Sequence, residues 1–178
     1  MPKNNVKPTG IENTFSENEI IVSKTDLKGE ITYVNDVFCK LAEAKESEMI
    51  GQPHNVIRHP DMPRTIFHFL WQQIKSKNEI FAYVKNMAMS GNHYWVFAHV
   101  TPTLDGSGNI VGFHSSRRAA PKAEIDFIDS LYKKIKDVEE GSSNRKDGLE
   151  AGVAFVNDYL ANEGLTYDEF VWSVSGNR

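Results

Sequence analysis

Phe67 and Trp71 stand four residues apart. On a helix they share one face, where two aromatic side chains can flank a flat ring. Asn35 and Asn86 each carry an amide with donors and an acceptor, an inventory that suits a uracil-like edge. Arg58 offers a planar fork of donors for a phosphate. His59 precedes Pro60, which steers it out of helical geometry and into a stiff wall. Asp61 has two readings, a carboxylate on the ligand side or the cap of the helix that follows. Phe67 and Trp71 also have two, because large aromatic residues on one helical face make ordinary core.

Most of these residues surround one unusual stretch, Gly51-Gln52-Pro53-His54-Asn55-Val56-Ile57-Arg58-His59-Pro60-Asp61-Met62-Pro63, with three prolines. Pro63 is tolerated in a first helical turn. Ile66, Phe67, Leu70, Trp71 and Ile74 then follow at helical spacing. Before this stretch, Glu19–Ser23 and Glu30–Val34 read as a hairpin turned at Asp26–Gly29. A short helix is expected over residues 35–44, and another turn at Ser47–Ile50, stopped by Gly51. After Lys77 the period changes to strands at Ile80–Met87, His93–Thr101 and Ile110–Arg117. Tyr94, Val96, Ala98 and Val100 fall on one face of the middle strand, Trp95 and Phe97 on the other, so both faces need cover or a partner.

Pro121 opens an amphipathic helix carrying Ile125, Ile128, Leu131, Ile135 and Val138. A polar linker at 141–147 leads to a second helix, and Thr166–Val174 is a short aromatic segment. The expected fold class is α+β: a five-stranded antiparallel sheet with short helices on one face, plus a C-terminal helical extension. The expected divisions are a flexible leader at 1–17, a domain at 18–120, an amphipathic helix at 121–140, and a linker with a helical segment at 141–178.

Composition narrows the function. The chain has 178 residues, 40% hydrophobic and 25% charged, with a net charge of −4. That is a globular chain without the basic excess of a duplex nucleic-acid binder. The longest near-apolar stretch, Tyr94–Ala98, cannot cross a bilayer, and the amino terminus lacks an apolar signal core. A cytoplasmic location is therefore expected. The single cysteine, Cys39, excludes a disulfide framework. The six histidines show no HExxH spacing, and there is no GxSxG, P-loop or GxGxxG, so no enzyme is expected. The Arg117-Arg118 pair at the end of the last strand has two readings, an anchor for a partner or charge solvating an edge, and the second is favoured.

The element order resembles a PAS sensory domain. GQPHNVIRHPDMP at 51–63, then Phe67 and Trp71, VKN at 84–86 and HYWV at 93–96 are similar to the sensory domain of bacterial aerotaxis receptors. The likeness covers residues 15–120. It implies noncovalent FAD, with cofactor-associated positions at Asn35, Arg58, His59, Asp61, Phe67, Trp71 and Asn86. It also implies redox or oxygen sensing passed to a chemotaxis module. Those receptors continue into a membrane anchor and a signalling coiled coil, to which the resemblance does not extend. The expectation is a signal handed in trans to a chemoreceptor or histidine kinase, with a homodimer as a further option. Two alternatives stay open. One is a cofactor-free interaction module. The other is a haem gas sensor with an axial ligand at His68, His99 or His114.

Overall fold

The computed structural model describes residues 6–176. Five strands, β1 (Ile21–Thr25), β2 (Ile31–Val34), β3 (Ile80–Met87), β4 (His93–Leu104) and β5 (Ile110–Arg118), form one antiparallel sheet in the order β2-β1-β5-β4-β3. Six helices accompany it: α1 (Asp36–Ala42), α2 (Glu46–Met49), α3 (Arg64–Lys75), α4 (Lys122–Glu140), α5 (Arg145–Glu163) and α6 (Tyr167–Val174). A 3-10 turn at His54–Ile57 lies within the proline-rich stretch. This is the α+β architecture expected from the pattern.

The described chain forms two compact units. One comprises the chain up to Pro60 together with Gln73–Ala120; the other comprises Asp61–Gln72 together with the chain from Pro121 onward. Nine of the twelve residues of α3, Arg64–Gln72, therefore cluster with the C-terminal helices.

In the sheet unit, β1 and β2 form the hairpin, turned where Gly29 takes φ 82°, open to glycine without steric cost. Asp26 organises that turn by accepting from the backbone N–H of Lys28 and Glu30. Helix α1 packs against β1, and α2 against β2. Ile21, Ile31, Val34, Phe38, Leu41 and Met49 are buried there. The polar leader is tied down where it is described. Thr9 N–H donates to Gly91 O, Asn13 N–H to His93 O, and His93 N–H to Ile11 O. Backbone pairing of this kind needs no apolar pattern.

In the helical unit, α4 buries Ile125, Ile128, Leu131 and Ile135, four of the five residues its spacing singled out; Val138 is half-buried, and Glu139 beside it is buried instead. Helices α4 and α5 pack together across a connection of four residues, 141–144. Asn144 shortens the expected linker by capping α5, accepting from the N–H of Lys146 and Asp147.

Candidate functional site

Register determines which sheet residues share a face, because directly opposed residues in an antiparallel pair point the same way. Asn86 opposes Tyr94 across β3 and β4. Val100 opposes Ser115, and Ala98 opposes Arg117, across β4 and β5. Ser115 in turn opposes Ser23 on β1. Asn86, Tyr94, Ser115, Arg117 and Ser23 thus lie on one face of the sheet, and all five are buried.

That face holds an unusual feature. Among the described residues, four buried side-chain polar atoms lack a hydrogen-bond partner: Asn86 Nδ2, Tyr94 Oη, Ser115 Oγ and Arg117 Nη1. Leaving one such group unpaired costs about 1–3 kcal/mol. Four on one sheet face mark the place where ordered water or a polar ligand would be accepted.

Arg117 is the strongest of these groups. Its Nη2 donates to Ser23 Oγ at 2.7 Å and to His54 Nε2 at 2.8 Å, and its guanidinium lies 5.9 Å from the centre of the Phe38 ring. No carboxylate pairs with it among the described residues. Burial lowers its pKa to about 10, so it stays a cation at neutral pH. Because Arg117 can only donate, His54 Nε2 must accept, and the Ser23 hydroxyl, 3.0 Å away, donates to the same atom. Burial first, and the Arg117 charge second, hold the His54 pKa down to about 3, which keeps the ring neutral. Burial likewise pushes the Tyr94 phenol up. A neutral phenol, a neutral imidazole and a buried cation without a counter-charge make a donor-rich, net positive surface.

The sequence-predicted residues divide on this background. Arg58 forms an isolated antiparallel bridge with Asn86, which brings the RHP stretch to β3. His59 is 2% exposed and meets the His93 ring edge-on at 5.9 Å. Asn35 serves the backbone. Its Oδ1 accepts from Val22 N–H at 3.0 Å and Phe38 N–H at 3.1 Å, and its Nδ2 donates to Ile20 O at 2.8 Å. The amide counted toward a ring edge is thus the N-cap of α1 and its tie to β1. In the helical unit, Phe67 and Trp71 are half-buried on α3 and Asp61 is exposed.

Arg117 corrects the sequence reading. It was assigned to a solvated edge, yet it is 4% exposed, while Arg118 beside it is exposed and lies over the Phe97 ring at 5.0 Å. The two-residue period of a strand sends neighbours to opposite faces. Tyr94 and Ser115 were missed too. The signal that could have found them is the Ser115–Arg117 spacing of two, in phase with the buried face.

The histidines considered for haem show no shared organisation. His68 is exposed. His99 bonds Glu79 at 2.6 Å and stacks on Phe81 at 4.3 Å. His114 is half-buried, and burial lowers its pKa.

Residues 18–115 match the family described as the PAS fold. The chain belongs to the PAS family. Over 121 residues, 68% of its length, it is 38% identical to the aerotaxis receptor of Escherichia coli (strain K12), and it spans 24% of that receptor. It is 25% identical over 161 residues to a nitrogen fixation regulatory protein of Klebsiella pneumoniae, spanning 32% of that protein. A solved light-oxygen-voltage domain, described in work with a flavin analogue, shares the fold with a TM-score of 0.56 and 16% identity, over 67% of this chain and 88% of that one. This PAS domain is therefore related to part of an aerotaxis receptor. No helix among the described residues is long and apolar enough to cross a membrane.

Proposed function

We propose that this chain is a redox- or oxygen-sensing PAS protein of aerotaxis-receptor type that binds FAD and signals to a partner protein in trans. The observation that carries the reading is the set of four unpartnered polar atoms on one sheet face, headed by the carboxylate-free guanidinium of Arg117. A flavin ring presents carbonyl oxygens and ring nitrogens along one edge and an apolar body elsewhere, and these donors fit that chemistry. When bound, FAD supplies reversible electron uptake.

The residues of the chain do the rest. Asn86 Nδ2 and Arg117 Nη1 donate to acceptors on the ring edge. Tyr94 and Ser115 each bring a hydroxyl that donates or accepts as the ring requires. Arg117, a buried cation, would favour an acceptor that carries negative charge, since a buried charge-assisted bond responds strongly to its partner's charge. Arg58, with its fork of donors, serves the pyrophosphate, and His59 stiffens the approach. The likeness to aerotaxis receptors also assigns a cofactor-associated role to Phe67 and Trp71 on α3. For a signal to leave, a partner such as a chemoreceptor or histidine kinase must bind the two redox states differently.

The test is an absorption spectrum of the purified protein, with added FAD, before and after dithionite. Paired near-ultraviolet and blue bands that bleach on reduction are expected, with weaker retention in Trp71→Ala. A sharp Soret band, or a flat visible spectrum after FAD and haemin are both offered, would overturn the reading.

A further inference from the structure

The described chain holds a second buried charged cluster, remote in sequence from the sheet face, on the helical unit. Glu139, near the end of α4, is 4% exposed. Its Oε2 accepts from the backbone N–H and the Nε of Arg64, both at 3.1 Å. Its Oε1 accepts from the backbone N–H and the hydroxyl of Thr65, both at 2.7 Å. These two amides open α3. Arg64 also donates from Nη1 to the backbone oxygen of Arg145, the first residue of α5, at 2.7 Å. Burial alone would raise the Glu139 carboxyl, but the bonds from Thr65 and Arg64 more than offset it and hold it below the usual carboxylate range.

Helix α5 is shaped for this cluster. A Cβ at Gly152 would lie 2.2 Å from Thr65 Oγ1 and 3.0 Å from Glu139 Cγ. A Cβ at Gly148, one turn earlier, would lie 2.2 Å from the Glu139 backbone oxygen. Only glycine permits this approach. The start of α3, the end of α4 and the start of α5 therefore meet at one carboxylate.

We propose that Glu139 is a positioning residue: a latch through which the C-terminal helices hold the start of α3 and report its state. A helix usually takes its N-terminal acceptor from its own first residues, and such a cap moves with the helix. The residue before α3 is Pro63, whose side chain has no polar atom. Two first-turn amides of α3 are instead satisfied from about 75 residues away. Moving α3 without α4 strips a buried carboxylate of its donors, so the cluster is either made or broken. This rests on the reading of α3 as the helix whose Phe67 and Trp71 meet the cofactor. Whatever ligand fixes α3 then shifts α4–α5, and the coupling is reciprocal.

Hydrogen-exchange mass spectrometry on the full chain tests the latch. In flavin-free protein, Glu139→Gln and the milder Thr65→Val are expected to speed exchange by about tenfold or more, the loss expected for a charge-assisted bond. The acceleration should appear in peptides covering 64–67 and, together with them, 145–152, while β3–β5 stay unchanged. Acceleration by Thr65→Val confined to α3 would overturn the latch. In wild type, FAD uptake, followed by absorption, is expected to slow exchange in both segments. Glu139→Gln should retain uptake but lose the response at 145–152. Uptake with no response at 145–152 in wild type overturns the latch and leaves the cofactor reading intact. Absence of uptake overturns the cofactor reading, and the flavin-free comparison alone then decides the latch.

Discussion

The guanidinium of Arg117 donates to His54 Nε2 at 2.8 Å, a buried cation bonded to a neutral ring. It also donates to the Ser23 hydroxyl and lies over the face of Phe38. A structural arginine at this depth would be expected beside a carboxylate, because an uncompensated buried charge is expensive. This one keeps Nη1 unpartnered.

Arg117→Met removes the charge and keeps much of the volume. Since no counter-charge is left behind, flavin-free stability should be unchanged or higher by about 1 kcal/mol. FAD affinity should fall about tenfold or more, the loss expected for a charge-assisted bond. Thermal unfolding and an FAD titration measure the two effects separately. Strong destabilisation with intact affinity would make Arg117 a structural residue.

His54 makes stability depend on pH. Its pKa falls from the ordinary 6.5 to about 3 on folding, so the unfolded chain binds the proton more tightly. The stabilisation is complete above pH 6.5 and is lost as pH falls toward about 3, at no more than about 1.4 kcal/mol per pH unit. Urea unfolding at pH 7.5 and 5.5, above most carboxylate titration, should show the loss in wild type. His54→Gln should reduce it, leaving the smaller share of His114, whose pKa burial also lowers; an equal slope in the variant would remove His54 as the cause.

Tyr94→Phe deletes a buried hydroxyl that has no partner. Removing an unsatisfied polar group should stabilise the flavin-free protein by about 1 kcal/mol. It should also weaken FAD retention if the hydroxyl serves the ring. Denaturant midpoints with and without FAD give both signs, and destabilisation in both conditions would show that the hydroxyl has a structural partner.

Gly148→Ala reverses a common expectation. In a helix interior alanine is usually favoured over glycine by about 1 kcal/mol. Here the added methyl would sit against the Glu139 backbone oxygen, so the variant should lose about 2 kcal/mol through overpacking. A midpoint at or above wild type would show that α4 and α5 can separate without loss.

What could be read from the chain depended on distance along it. The helical spacing of Ile66, Leu70 and Ile74 and the alternation of β4 are local patterns, and they appear as α3 and as the longest strand. Asn35 carries a local signal of a second kind. An asparagine immediately before Asp36-Val37-Phe38 is a good N-cap, and it takes that part.

The amino-acid order by itself determined the element types and their sequence, the α+β class and the kinship to aerotaxis receptors, because periodicity, turns and motif residues act over a few positions. Only the tertiary structure decided that Arg117 is buried while Arg118 is exposed, and that Glu139 holds the first turn of α3. Burial of a charge and the acceptor of a distant amide depend on which segments meet. Those meetings arise from register and packing between residues up to ninety-odd positions apart, such as Ser23 and Arg117.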